Sequence, residues 1–210
     1  RGGGAGTAFS FGKISPFAEP GLQLNPPSSL SIMNKILSKE QFSEKVFKFV
    51  VEAPLIARAR KAGHFIILRV DERGERIPLT IADSDPQRGT ITLVVQSIGR
   101  GTQRLCALGV GDYIRDVVGP LGRATHIERF GTVVCAGGGV GVAPMLPIVR
   151  ALKAAGNRVI TVLAGRTKDL IILEGEMRAS SDDTLIMTDD GSYGRQGLVT
   201  PEAVFHVSDS

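Results

Sequence analysis

The sequence predicts an antiparallel β-barrel followed by an α/β domain built on a parallel sheet, incomplete at its C-terminus. Three observations predict it. Between Lys35 and Val118 short apolar runs alternate with turn residues, the pattern of an antiparallel barrel. From Phe130 onward apolar strands alternate with helical patterns, the grammar of a three-layer α/β domain. The run Thr132-Val-Val-Cys-Ala-Gly-Gly-Gly-Val-Gly-Val-Ala-Pro144 joins a buried strand to a helix start through a glycine turn.

In chain order, the barrel strands are Lys45 to Val51, His64 to Val70, Arg76 to Ile81, Thr90 to Val95 and Tyr113 to Val118. Asp71-Glu-Arg-Gly74 and Asp85-Pro-Gln-Arg-Gly89 carry turn chemistry between consecutive strands. Gln96-Ser-Ile-Gly-Arg-Gly-Thr102 leads into a helical pattern through Leu105 and Leu108. Gly119-Pro-Leu-Gly122 marks the boundary between the two halves. The apolar helix pattern from Pro144 to Ala155 and the strand Val159 to Ala164 then complete a βαβ unit, and Leu185-Ile-Met187 supplies a further strand. The expected organisation is a disordered or non-native extension over residues 1–32, a barrel over 33–122 and a truncated α/β domain over 123–210. The first segment is Gly-, Pro- and Ser-rich, and Met33-Asn-Lys-Ile-Leu reads as a start.

Composition narrows the function. The 210 residues suffice for two modest domains. A formal charge of +4 with interleaved acids and bases lacks the basic stripe of a nucleic-acid binder. Apolar runs are broken well before about twenty residues, so no membrane span is expected. Cys106 and Cys135 are too few for a disulfide framework or for an iron–sulfur or zinc site by themselves, and read as small buried hydrophobes in a cytoplasmic setting. His64, His126 and His206 lack ligand spacing.

Five segments carry candidate chemistry. Gly137-x-Gly139-x-Gly141 with Ala143-Pro144 partly satisfies a dinucleotide fingerprint; the N–H groups of the following helix would attract a phosphate, the alternative being a tight strand-to-helix turn. In Arg76-Ile-Pro-Leu-Thr-Ile-Ala-Asp83, Arg76 and Thr80 share a face, and Pro78 cannot donate to a central ladder, leaving backbone groups open to a flat heterocycle or marking a plain edge strand. Gly99, Gly101 and Thr102 form a second anion turn, or Thr102 simply caps a helix. After the second α/β strand, Arg166 and Lys168 are either solvated charges or a site for a ribose 2′-phosphate. Thr188-Asp-Asp-Gly-Ser-Tyr-Gly194 lies at a strand's carboxyl end, where ligands of open α/β sheets bind, and is otherwise a surface turn.

The Arg-x-Pro-Leu-Thr strand, the Ile-Gly-Arg-Gly-Thr turn, Gly119-Pro-Leu-Gly122, the triple-glycine loop and Asp-Asp-Gly-Ser-Tyr-Gly occur in this order in ferredoxin–NADP reductase-like flavoproteins, which the chain resembles from Met33 to about Thr200. Within that family it looks most like the small (alpha) subunits of NADH-dependent reduced ferredoxin:NADP oxidoreductases, also called sulfide dehydrogenase beta subunits. The resemblance implies FAD in the barrel, held by Arg76, Pro78, Leu79, Thr80 and Ile81 with Ile98, Gly99, Gly101 and Thr102. It implies NADP or NAD on Gly138, Gly139, Val140, Gly141, Ala143 and Pro144, with Arg166 favouring NADP and Asp190, Gly191 and Ser192 on the nicotinamide side. No side chain is expected to act as a chemical catalyst, since the cofactors react and the protein positions them. The implied function is electron transfer between NAD(P)H and ferredoxin or a larger flavin/iron–sulfur subunit of a heterodimer. The electron-transfer subunit of dihydroorotate dehydrogenase, a hydrogenase-associated diaphorase and a non-catalytic nucleotide-binding subunit are the rival readings. The relatives' two-iron two-sulfur cluster sits in a cysteine-rich C-terminal part that this sequence does not contain.

Overall fold

The computed structural model describes residues 34–198. The expectations for residues 1–32 and for the end of the α/β domain, residues 199–210, lie outside the described residues.

The first sheet is antiparallel and nearly closed. Its strands are β1 (Asn34–Ser43), β2 (Val46–Glu52), β3 (Phe65–Arg69), β4 (Ile77–Asp85), β5 (Thr90–Gln96), β6 (Tyr113–Ile114) and β7 (Asp116–Leu121), in the order β6-β1-β2-β5-β4-β3-β7. Period-two alternation builds its core: Ile91, Leu93 and Val95 of β5 point inward and are fully buried with Phe49, Val51, Ile66 and Leu68. Both expected hairpin turns form. Asp71 accepts the N–H of Arg73 through Oδ1 at 2.9 Å, and Asp85 Oδ1 accepts those of Gln87 and Arg88, each at 2.9 Å.

Two short helices flank the barrel, α1 (Pro54–Ala59), with proline in its first turn, and α2 (Arg100–Ala107). Neither β1 nor α1 has a clear signature in the sequence. Of β1 only Asn34 and Ile36 are buried, so its pattern is mostly that of a polar surface. The expected strand Tyr113 to Val118 is divided at Arg115 into β6 and β7.

The second sheet is parallel, with the order β11-β10-β9-β8. It contains β8 (Thr132–Gly138), β9 (Arg158–Gly165), β10 (Asp183–Thr188) and the two-residue β11 (Arg195–Gln196), with α3 (Val142–Ala154) and α4 (Glu174–Ser180) in the crossovers. Both crossovers advance in the same direction across the sheet, so right-handed connections put both helices on one face. Among the described residues the expected third layer is therefore absent. Leu185, on the face opposite the helices, is 51% exposed.

The two sheets share packing. Ordinary alternation along β4 lets neighbouring side chains serve two cores, Ile81 inside the barrel and Ala82 outside it, and a register shift between Ile81 and Asp83 pairs Asp83 with Thr92 on the outer face. Ala82, Val46 and Val94 on the barrel's outer surface join Val142, Leu146 and Val149 of α3 in the second core. Asp83 is bridged from both sides, by Arg60 at 3.4 Å and by Arg150 of α3.

Candidate nucleotide-binding cleft

The glycine turn forms where β8 gives way to a 3-10 turn, Gly139–Gly141, and then to α3, which begins at Val142, just before the expected Ala143-Pro144. The glycines have different reasons to lack a side chain. A Cβ on Gly137 or Gly138 would contact Met145, Gly141 or Ala164 at 3.4 Å or more, an ordinary packing distance. At Gly139, with φ +52°, and at Gly141 a Cβ would have nothing within 4 Å. Space is left open at both, and Gly139 lines a cleft. Val142 and Ala143 turn their side chains into the second core, so only their backbone is available, and Pro144 has no N–H to offer.

That cleft has a volume of 460 Å³ and is lined from both sheets. Gly138, Gly139 and Val140 contribute the turn, Ala164, Gly165 and Arg166 the end of β9, and Asp189 the end of β10. Val46 and Gln96 contribute the barrel wall. Gln96 and Asp189 were not singled out from sequence. Gln96 is the polar residue that ends an otherwise apolar strand beside the Ile98-Gly99 turn, which is a readable sign in retrospect.

The β4 segment resolves the question raised by Pro78. By strand order β4 is interior, not an edge strand. Its first half, Ile77 to Thr80, nevertheless pairs only with β3, because pairing with β5 begins at Ile81. Pro78 sits in this half-paired stretch, where one side of the backbone is open. Arg76, just before the strand, and Pro78 are exposed and Thr80 half-buried, whereas Ile77 and Ile81 are buried and Leu79 packs against the barrel core. Ile81 is 1% exposed and its N–H is donated to the His64 carbonyl at 3.2 Å, so neither its side chain nor its amide is open to a ligand.

In α2 the Thr102 hydroxyl accepts the N–H groups of Ile98 and Gly99, at 3.1 and 3.0 Å, and donates to the Gly99 carbonyl at 3.0 Å. Thr102 thus closes its own helix start, the capping alternative. Gly101 is buried, and a Cβ there would meet Ile77 Cδ1 at 2.9 Å, so its smallness serves helix-to-strand packing. The anion-attracting groups that remain are the first-turn backbone amides of α2, beside Ile98, which is 70% exposed.

The Thr188–Gly194 turn is a closed structure. The buried Thr188 hydroxyl accepts the Tyr193 N–H at 3.0 Å and donates to its carbonyl at 2.8 Å. Asp190 Oδ1 accepts the Ser192 N–H at 2.9 Å, and hydrogen bonding from Ser192 holds the Asp190 carboxyl below the usual carboxylate range. Ser192 Oγ accepts the Lys168 N–H at 2.9 Å, and the Asp190 N–H donates to the Arg166 carbonyl at 3.2 Å. Asp190, Gly191 and Ser192 are therefore tied to the loop after β9, two strands away from the glycine turn of β8. Lys168 places its ammonium 5.3 Å from the Tyr193 ring centre, leaving Arg166 as the cation of the cleft.

Among the described residues no group of three His, Cys, Asp or Glu side chains converges as a metal site, and no helix is long and apolar enough to cross a membrane. Cys106 and Cys135 are free thiols whose pKa values burial pushes up.

An antiparallel barrel with a half-paired strand and a parallel sheet with a glycine turn, which shares a cleft with Val46 and Gln96 of the barrel but not with Arg76 to Ile81, have the ferredoxin–NADP reductase-like architecture. A solved NADH-dependent reduced ferredoxin–NADP oxidoreductase shares it with a TM-score of 0.76 and 43% identity, over 79% of this chain and 59% of that one. The FAD/NAD binding domain of a Vibrio cholerae nitric oxide dioxygenase, 19% identical with a TM-score of 0.67 over 83% of this chain and 82% of its own, shares the fold. No protein-family model matches the sequence. The electron transfer subunit homolog of dihydroorotate dehydrogenase B (NAD(+)) of Thermotoga maritima is 46% identical over 168 residues, 80% of this chain and 59% of the relative. The corresponding subunit of Streptococcus pneumoniae (strain TIGR4) is 33% identical over 171 residues, 79% of this chain and 67% of the relative. The chain belongs to the family of these electron transfer subunits. It spans a little under 60% of the Thermotoga relative's length, at 59%.

Proposed function

We propose that this chain is the FAD- and pyridine-nucleotide-handling part of an oxidoreductase subunit that passes electrons between NAD(P)H and an iron–sulfur carrier, either ferredoxin or a larger flavin/iron–sulfur subunit of a heterodimer. One observation carries the proposal: a single cleft is walled by the open glycine turn and by Val46 and Gln96 of the barrel. Hydride transfer between two flat rings needs them held together by two supports, and positioning of that kind is the protein's share of such catalysis.

The residues fit the cofactors. The unpaired backbone side of Pro78, Leu79 and Thr80 suits the edge of a flavin ring, Arg76 supplies a forked donor for phosphate, and the first turn of α2 at Arg100 to Thr102 supplies amides for the diphosphate. Ile98 offers an exposed apolar surface to a ring, while Gly99, Gly101 and Thr102 shape the turn that presents those amides. The open positions at Gly139 and Gly141 leave room for the pyridine nucleotide diphosphate against the backbone of Gly138 to Ala143. FAD, when bound, supplies the exchange between hydride transfer and single-electron transfer.

The reading as a dihydroorotate dehydrogenase electron-transfer subunit is favoured by the 46% identity to the Thermotoga homolog of that subunit, and differs from the first only in the partner with which electrons are exchanged. The test is an anaerobic absorption spectrum of the chain after loading with FAD, followed by addition of NADH or NADPH. Flavin bands bleached by a nucleotide are expected. A chain that retains no flavin overturns the barrel assignment; one that retains flavin without bleaching is a nucleotide-binding subunit without turnover. Reconstitution with candidate partner subunits then distinguishes ferredoxin from a dihydroorotate-oxidising flavoprotein.

A further inference from the structure

We propose that a second pocket, beside the segment joining β7 to β8, is a ligand site that takes an organic phosphate through Lys61 and Arg123. This pocket shares no lining residue with the nucleotide cleft, so its ligand is independent of what that cleft holds.

The pocket has a volume of 840 Å³ and lies where three parts of the chain meet: the turn after α1, the segment joining β7 to β8, and the second half of α3 at Ala151. Its walls are fixed by main-chain bonds. The Thr125 N–H donates to the Ala62 carbonyl at 2.9 Å. The turn after α1 is closed on itself, with the Lys61 N–H on His64 Nδ1 at 3.1 Å and the His64 N–H on the Lys61 carbonyl at 3.2 Å. Gly63, with φ +88°, lets the joining segment lie this close, since a Cβ there would collide with Thr125 Oγ1. The pocket is therefore preformed, as small-molecule sites usually are.

Its charge is one-sided. Lys61 and Arg123 line it from two of the three parts, both exposed, and neither side chain has a hydrogen-bond or ion-pair partner among the described residues. No carboxylate lines it, and Glu128, further along the joining segment, is engaged by His126 at 3.1 Å. Next to Lys61 and Ala151 in the chain, Arg60 and Arg150 share the single carboxylate of Asp83, and the buried Arg60 Nε has no partner. Positive charge is thus in surplus on the barrel side and on the α3 side, and an anion between them offsets their repulsion.

The chemical class follows from the lining. A guanidinium fork and an ammonium together match the oxygens of a phosphate. Ala62, Ala124, Ile127 and Ala151 supply an apolar floor, which suits a hydrocarbon or ring body attached to that phosphate.

The experiment is calorimetric titration of the full chain with phenyl phosphate and with inorganic phosphate, for wild type, Lys61→Gln, Arg123→Gln and Gly141→Ala, with melting temperature as a control on folding. Wild type is expected to bind phenyl phosphate, and inorganic phosphate more weakly. Lys61→Gln and Arg123→Gln should each weaken the first about tenfold, the ordinary worth of one charge-assisted hydrogen bond, while Gly141→Ala leaves it unchanged. No saturable binding by wild type, or full affinity in the folded Lys61 and Arg123 variants, overturns the site. Weakening by Gly141→Ala alone places the probe in the nucleotide cleft and overturns it too. Equal affinities for the two probes overturn the organic body of the ligand.

Discussion

Gly141 and Gly194 use the same absence of a side chain for opposite purposes. Gly141 has an ordinary helical φ of −63° and open space where a Cβ would stand, so nothing in the folded protein requires glycine there. Gly141→Ala is expected to change unfolding free energy by less than about 0.5 kcal/mol, as a surface substitution does, yet to weaken pyridine nucleotide binding measurably in a titration. Gly194 has φ +68° and would place a Cβ 2.3 Å from the Ile186 carbonyl oxygen. Gly194→Ala should therefore destabilise by more than about 2 kcal/mol in urea unfolding. Both glycines stand in motifs visible in the sequence, but only the space around them separates a ligand glycine from a folding glycine. Cys106 shows the converse, its burial readable from its apolar neighbours, whereas Cys135, expected to be buried as well, is half-buried on β8. With their thiols pushed up by burial, Cys106 and Cys135 are expected to react slowly with a thiol reagent at neutral pH and quickly in denaturant.

Elements report how local chemistry competes with ligand chemistry. Thr102 was legible as a hydroxyl in a glycine turn, with two meanings that sequence could not separate; geometry assigns it to capping α2. Thr102→Val is expected to cost about 1 kcal/mol of stability, the usual loss for a removed cap, and flavin retention should fall only as far as the helix start loosens. Three of the parallel strands, β8, β9 and β10, were legible with α3 because they are apolar, whereas β11 is an exposed Arg-Gln pair with no such pattern. By contrast, β1 and α1 escaped notice because pairing with β2 and packing against the barrel, not their own residues, hold them in place.

The end of α3 is joined to the start of β9 by Asp182, which accepts from Lys153 and, at 2.7 Å, from the Val159 N–H. Those bonds, that to Lys153 first, hold its carboxyl below the usual range. A depressed folded pKa contributes stability that is complete above the ordinary carboxylate value and is lost as the pH falls through the folded one. The stability difference between wild type and Asp182→Asn in urea should therefore be full at neutral pH and close on strong acidification.

At the scale of the whole molecule, sequence grammar divided the chain cleanly at Gly119–Gly122, while the structure packs across that point. β5 shows why this was hidden. Ile91, Leu93 and Val95 follow the inward alternation, but Val94, which the same rule sends to solvent, is buried under α3. An outward valine in a strand has no sequence signature that names its distant partner. Asp83 is similar: its spacing says nothing of Arg150, which lies 67 residues further along.

The common packing of Val46, Ala82 and Val94 with α3 has a thermodynamic corollary. If neither sheet can melt without exposing the other's apolar surface, occupancy at one is felt as heat resistance at both. A nucleotide held by the glycine cradle would then raise the midpoint of barrel unfolding by mass action, amounting to about 2.7 kcal/mol at a hundredfold excess over its Kd. Probes placed separately on β2 and β9 should report one coincident transition that moves as a whole with ligand concentration.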